Sequence, residues 1–584
     1  MQNTRITIRS LFFIFILAVI YVTGTAQSSS GGGCGGSSPN VSSDPPSGGA
    51  GTSSGGSGGT SSGSGGSVSS DAGNSNDGSG NSSGDSDSGC GGVASSGMIV
   101  DENGNVTGCE AGCDVIVDED NGRITGCTCR GTPSPDCSGS GGTSGDGTSS
   151  REAPGLYWRN RVTLGVGYDP RIAANEAGDM IAAWSYYDAT TAYLKASVYH
   201  PTQGWTEAQT IFTGGPRQSS GLGRVLDITV AGDGSGFVLF SATGGPQVVR
   251  YDPASGFGSS VSIATNFTEF SADTCHIVAD QNGNAIAVWN QALATQYDWS
   301  VFANRYVAGT GWGQPATLDS KNGPAERTRL SGNAQGSAVA VWEQDDAGHF
   351  SIWTNRFDPA SGWGTARTIE NSAQECMSPE IAMHQAGNAV VAWKEMTISG
   401  VSGMAINQLW WNRLLAAPAP PHWSPAQSIQ TTMAVGFHAV AISDNYPVVV
   451  WTQRRSDASR EYISLWGSML SSSAAERIAT QIEDSGGPTN SVPSFILDNG
   501  RRGVIAWITN SYEDPMVVST FMSIERGWEG QQSVEQLSAS EREASPPQLA
   551  VDGQGNVTAI WSLRGPLEES NQDSVQVRTR EVVR

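Results

Sequence analysis

Few residues in this chain advertise chemistry by type and spacing. Outside the low-complexity Gly/Ser stretches, where GxSxG arises from composition alone, the nucleophile elbow GxSxG, the zinc-binding HExxH and a glycine loop able to cradle phosphate are all missing from the sequence. The six histidines, His200, His276, His349, His384, His422 and His438, stand one per site, as turn or strand residues do, so neither a metal nor a cofactor is expected. Acidic residues are plentiful, and a carboxylate pair for glycoside cleavage stays open because its separation is invisible in a sequence. The better candidates are aromatic and charged residues at places where a regular pattern breaks. These are Tyr297, Asp298, Trp299, Asp345, Asp346, His349, Arg454, Arg455, Tyr512, Glu513 and Asp514. Their rings suit stacking on a sugar or anchoring a protein partner, while solvated loop polarity is the plainer reading of each.

The elements that must position these residues are repeats. An apolar strand, a turn with Gly or Asn, and a second strand ending in Trp recur from Pro170 to Trp184, Ile277 to Trp289, Leu330 to Trp342, Pro379 to Trp393 and Pro547 to Trp561. Degenerate copies run from Gly234 to Phe240, Asn445 to Trp451 and Gly500 to Trp507. A Gly six residues before the aromatic fits a hairpin turn needing positive φ, and an Asp three before it, as at Asp280 and Asp552, suits bonding to the turn backbone. The Asp-x-Asn-Gly wording resembles a calcium loop but is too short to supply six oxygens.

A third strand follows, such as Val301 to Tyr306 or Ile352 to Phe357, and then a fourth after a turn, such as Gly362 to Ile369. Strands apolar on both faces, for example Ala285 to Trp289, suit sheets sandwiched between neighbours. Four strands per unit, with aromatic positions about 54 residues apart on average, predict an all-β fold: an eight-bladed β-propeller of four-stranded antiparallel blades. The last unit lacks its fourth strand, and Gly155 to Leu164 has the look of the missing piece, so a strand from the N-terminal side is expected to close the ring.

These repeats resemble uncharacterised bacterial secreted or surface β-propeller proteins with Asp-x-x-Gly-Asn, Trp and Gly-Trp signatures. More distantly they are similar to sialidase-type Asp-box propellers, although Trp lies six past Gly here and the Asp-box spacing is not met. Sialidase chemistry would need an arginine cluster with a Tyr–Glu pair in the channel. Arg305, Arg356 and Arg413 recur at one repeat position and read as a structural blade contact instead.

Ahead of the propeller, residues 1–26 read as a Sec signal peptide, with Arg5 and Arg9, an apolar run from Leu11 to Val22 and the small residues Gly24, Thr25 and Ala26. The run is shorter than the roughly 20 residues of a membrane span. Cys34 offers lipidation as the alternative to simple cleavage, and a lipid there would be the chain's one link to a membrane. Residues 27–89 form a Gly/Ser-rich tether that cannot bury enough apolar area to fold, with a typical span of roughly 40–45 Å. Residues 90–137 hold two copies of an Ile-Val-Asp hairpin and six cysteines, Cys90, Cys109, Cys113, Cys127, Cys129 and Cys137. Disulfides are the favoured reading in an exported chain, with zinc as the alternative; six cysteines allow 15 pairings and the sequence does not choose. Residues 138–152 are a second Gly/Ser linker, and 153–584 the propeller.

The formal net charge of −24 disfavours a phosphate backbone, so no nucleic-acid partner is expected. The expected role is an exported or cell-surface propeller of a bacterium that binds a glycan or protein. The alternatives are a glycosidase or lyase and a structural envelope protein. The working surface should be the face carrying connections between second and third strands and between blades, which vary, while the other face carries short uniform turns.

Overall fold

The computed structural model describes strand residues within 98–129 and residues 158–581, apart from the loops 217–222, 266–268, 293–298, 320–322, 347, 399–404, 430–434, 444–445, 457–460, 471–478, 484–491, 499–500, 510–515, 526, 529–533, 539–543 and 565–572. The signal peptide, Cys34, both Gly/Ser stretches, Cys90 and Cys137 lie outside the described residues. The chain divides into two compact units, Met1–Thr143 and Ser144–Arg584.

In the first unit, Met98–Val100 pairs with Val106–Cys109, and Cys113–Val117 with Ile124–Cys129, both antiparallel. The backbone register of the second hairpin sets Cys113 opposite Cys129.

The second unit is an eight-bladed β-propeller built from antiparallel sheets in which consecutive strands are neighbours. The first strands are Tyr168–Ala174, Val225–Val230, Glu269–Ala279, Ala325–Gly332, Cys376–Met383, Val435–Ser443, Ser494–Leu497 and Gln548–Val551 in blades 1 to 8. Each is the edge strand of its sheet and packs against the first strands of the blades on either side, the eighth against the first, so together they form the inner wall of a closed ring. The second strands are buried over most of their length, and Ala285–Ala292 over all of it, Asn290 and Gln291 included. At their centres Trp184, Trp289, Trp342, Trp393, Trp451, Trp507 and Trp561, with Phe240 in blade 2, are fully buried between sheets. Removing one such indole should cost about 3–5 kcal/mol.

Two devices make the repeat. The first is the turn: Asp280 Oδ1 accepts the N–H of Asn282 at 2.8 Å and of Asn284 at 3.0 Å, and Asn284 Nδ2 donates to Asp280 Oδ2 at 2.7 Å. Asp552 repeats this with Gln554 and Asn556. Gly283 and Gly555 adopt φ of 76° and 85°, where a side chain is strained, and these carboxylates are consumed by the turn instead of facing a cation. The turns of blades 6 and 7, at Asn445 and Gly500, lie outside the described residues. Neighbouring turns are also tied across blades, Asn333 Nδ2 to Gln385 O at 3.2 Å and Gly553 N to Glu176 O at 3.2 Å among them.

The second device is the closing strand. Val162–Val166 pairs antiparallel with Ser574–Arg580 and completes blade 8, as the sequence leads one to expect. Trp158 extends the seam by bridging to Arg580 and donates from Nε1 to Ser519 Oγ at 3.1 Å in blade 7. Cys275 and Cys376 are buried thiols in blades 3 and 5, and burial pushes both well above the ordinary thiol range.

Candidate functional site

The topology puts second-to-third hairpins and blade connections at one end of the blades, and those sequence-derived candidates that are described fall there. Asp345 and Asp346 pair with Phe350 and His349 to close the blade 4 hairpin. Asp345 Oδ1 accepts the Gly348 N–H at 2.8 Å, and His349 Nε2 lies 3.5 Å from Ser351 Oγ. Trp299 opens the third strand of blade 3 opposite Ala292 and is half-buried. Arg454 and Arg455 pair with Ile463 and Tyr462 in blade 6, Arg454 being exposed. Tyr297, Asp298, Tyr512, Glu513 and Asp514 lie outside the described residues. The structure therefore joins Asp345, Asp346 and His349 in one hairpin end, and leaves Trp299 and the two arginines on other blades. Arg305 stacks over Phe357 of the next blade at 5.1 Å, and Arg250 over Tyr306 at 5.7 Å, which are contacts between blades.

Sequence reasoning passed over the inner wall. In each blade one first-strand residue pairs with the residue just before the core aromatic. Around the ring these are Arg171, Asp227, His276, Arg329, Glu380, Ala439, Ser494 and Gln548. Blades 1 to 5 thus carry charge or an imidazole, and blades 6 to 8 carry none. His276 Nδ1 lies 3.3 Å from Asp227 Oδ2, Ile277 N donates to the same oxygen at 3.0 Å, and Arg329 Nε meets Glu380 Oε1 at 3.0 Å. Burial holds the Arg171 guanidinium below its usual range, with Asp227 opposing.

A turn closer to the variable end, the ladder bulges opposite the core Trp in blades 1, 4 and 5. Asp169, Arg327 and Ser378 sit in these bulges with φ of 48°, 51° and 56°, a conformation costly for side chains and one that redirects them. Arg327 Nη1 reaches Glu343 Oε1 at 3.1 Å, and the Ser378 N–H donates to the same carboxyl. Glu343 is only 3% exposed, and burial raises its pKa while Arg327 and the Ser378 N–H pull it down. Next to it, burial lowers the Lys394 ammonium, whose Nζ donates to Gly436 O at 3.3 Å. On blades 6 and 7 the same level instead presents Phe437 and Val492, 39% and 47% exposed, and on blade 8 exposed Pro546. The mouth of the ring is therefore two-sided, with a charged arc facing an apolar one.

A second feature interrupts the repeat in blade 5. In blades 3, 4 and 6 the residue two past the core Trp is Gln, and its Oε1 accepts the indole N–H: Gln291 at 2.8 Å, Gln344 at 3.0 Å and Gln453 at 3.3 Å. The amide nitrogens of Gln291 and Gln344 donate onward to carbonyls of the incoming blade connection, Thr265 O and Gly323 O. Blade 5 has Glu395 there, 5% exposed. Beside it opens a cleft of about 490 Å³, walled by Trp393, Trp410 and Trp423 and by Glu370 and Ser372 of the connection from blade 4. Burial raises the Glu395 carboxyl and Glu370 raises it further, the Ser372 hydroxyl working against them. The break from Gln to Glu was the signal available in the sequence.

No protein-family model and no curated protein matches the chain. Among solved structures it is similar to the polysaccharide lyase Uly1, at 9% identity over 65% of this chain and 94% of that one, with a TM-score of 0.41. It is also similar to an α-L-arabinanase of Penicillium chrysogenum complexed with arabinobiose, at 12% identity over 64% and 99% with a TM-score of 0.33. The Hadza microbial sialidase Hz136 matches at 10% identity over 59% and 73%, with a TM-score of 0.32. Similarity of this degree assigns no activity to the chain.

Proposed function

We propose that this chain is an exported or cell-surface propeller that binds a glycan at the mouth of its ring, on the face of the variable connections. The observation that carries this reading is the two-sided mouth. A sugar ring has an apolar face of C–H groups and a rim of hydroxyls. Phe437 offers a surface for the first, and Arg327, Ser378, Lys394 and Glu380 on blades 4 and 5 beside it offer donors and acceptors for the second. The opposite face suits this role less well, because its turn carboxylates are spent on backbone N–H groups. Asp345, Asp346, His349, Trp299, Arg454 and Arg455, at hairpin ends on the same face, are proposed as contacts to a longer ligand.

The test is a glycan array with the secreted protein, followed by calorimetry on a hit. Phe437→Ala and Arg327→Ala should each weaken binding by about 1–3 kcal/mol, as buried contacts at an interface centre do. Unchanged affinity in both variants, with loss on altering Asn284 or Asn388, would put the site on the wrong face.

A further inference from the structure

The blade 5 cleft shares no lining residue with the mouth as described above and differs from it in charge. Its carboxyl groups, Glu370 and Glu395, share the space with three indoles, and no Lys, Arg or His is among the lining residues. The reason for the opening lies in the repeat. Where Gln stands at this position, its amide accepts the indole N–H and donates to the blade connection, latching the connection onto the sheet. A carboxylate has no N–H to give, and Glu395 also faces Glu370 on that connection. The latch is missing: the Trp393 Nε1–H turns to the Cys376 thiol instead, and the Trp410 Nε1–H has no hydrogen-bond partner.

We infer that this cleft is a second binding site, which takes a protonated amine carried on an apolar ring face, namely an amino sugar of a glycan. The chemistry is complementary on both counts. Two carboxyl groups crowded together without a counter-charge are relieved by a cation, and indole faces attract both an ammonium and the C–H face of a sugar. The volume falls within the range of small-ligand pockets, about 300–1,000 Å³. The choice of a sugar over another amine rests on the glycan reading above; the site itself does not.

The experiment is calorimetry of the full secreted chain with three probes: a β-1,4-linked glucosamine trimer, its fully N-acetylated counterpart and a lysine-rich peptide. The glucosamine trimer should bind at least tenfold more tightly than the acetylated one. Glu395→Gln and Glu370→Gln should each weaken it at least tenfold. Glu395→Gln installs the residue found in three other blades, so it should melt no lower than the parent, and Glu370→Gln alters a blade connection if the first fails to fold. Loss of trimer binding in Phe437→Ala with both glutamine variants unaltered would place the trimer at the mouth and overturn the cleft assignment, which separates failure here from failure at the mouth. Equal binding of the acetylated trimer, unaltered affinity in both glutamine variants, or binding of the lysine peptide but not the trimer would each overturn the assignment.

Discussion

A buried histidine shows how a single residue ties this fold to pH. His438 lies at the bulge of blade 6, fully enclosed, with Nε2 3.2 Å from Ala392 O, and burial brings its pKa down to about 4. Glu380 pulls the other way, while Lys394 and Arg329 reinforce the shift. A lowered folded-state pKa means the unfolded chain takes up the proton first. The stability due to neutral His438 is therefore complete above the unfolded value of 6.5 and is lost as pH falls toward 4. The shift corresponds to roughly 3 kcal/mol across that window. His438→Gln keeps a donor for Ala392 O without titrating, so its urea midpoint should fall less than the parent's between pH 6.5 and 4. Parallel curves would mean that the imidazole is hydrated. Neither this burial nor the charged arc was legible in the sequence, where six lone histidines look alike. Which of them enters the core depends on bulges that carry no shared residue, Pro170 and Pro379 filling the place that Thr328 takes in blade 4.

At the scale of the element, what was legible is what the backbone itself demands. The turn needs an Asp or Asn to bond its N–H groups and a Gly for positive φ, and the second strand needs apolar residues on both faces, so these features recur in the sequence. First strands are held partly by neighbouring blades, as where Thr229 Oγ1 accepts the Ala279 N–H at 3.1 Å and Ser331 Oγ the Met383 N–H at 3.0 Å. Such bonds join residues about one repeat apart and leave no local pattern. Asp552→Ala would strand the N–H groups of Gln554 and Asn556 and should cost about 1–2 kcal/mol, as loss of a helix cap does. Urea unfolding checks this. A change below about 0.5 kcal/mol would show that water replaces the carboxylate at that turn.

For the molecule as a whole, the ring is as strong as its seam. Seven blades are closed by their own chain order, but blade 8 depends on a strand contributed from nearly 410 residues earlier in the sequence, Val575 pairing with Gly165. That strand does more than cap an edge. Val166 O accepts the Trp184 Nε1–H of blade 1 at 3.0 Å, Trp158 packs with the apolar residues between blades 7 and 8, and Arg578 Nε donates to Arg159 O at 2.8 Å. One segment thus fastens blades 7, 8 and 1. A chain beginning at Gly167 loses these bonds together, leaves Ser574–Arg580 as an open ladder edge and uncovers the apolar faces beside Ile560 and Val577. The loss should exceed the about 3–5 kcal/mol of a single large core truncation, because a sheet edge and a buried indole acceptor go at once. The shortened protein should therefore aggregate or melt without a single cooperative transition. A monomer that melts at the parent's temperature, seen by calorimetry and light scattering, would mean that blade contacts alone hold the ring and that the seam is dispensable.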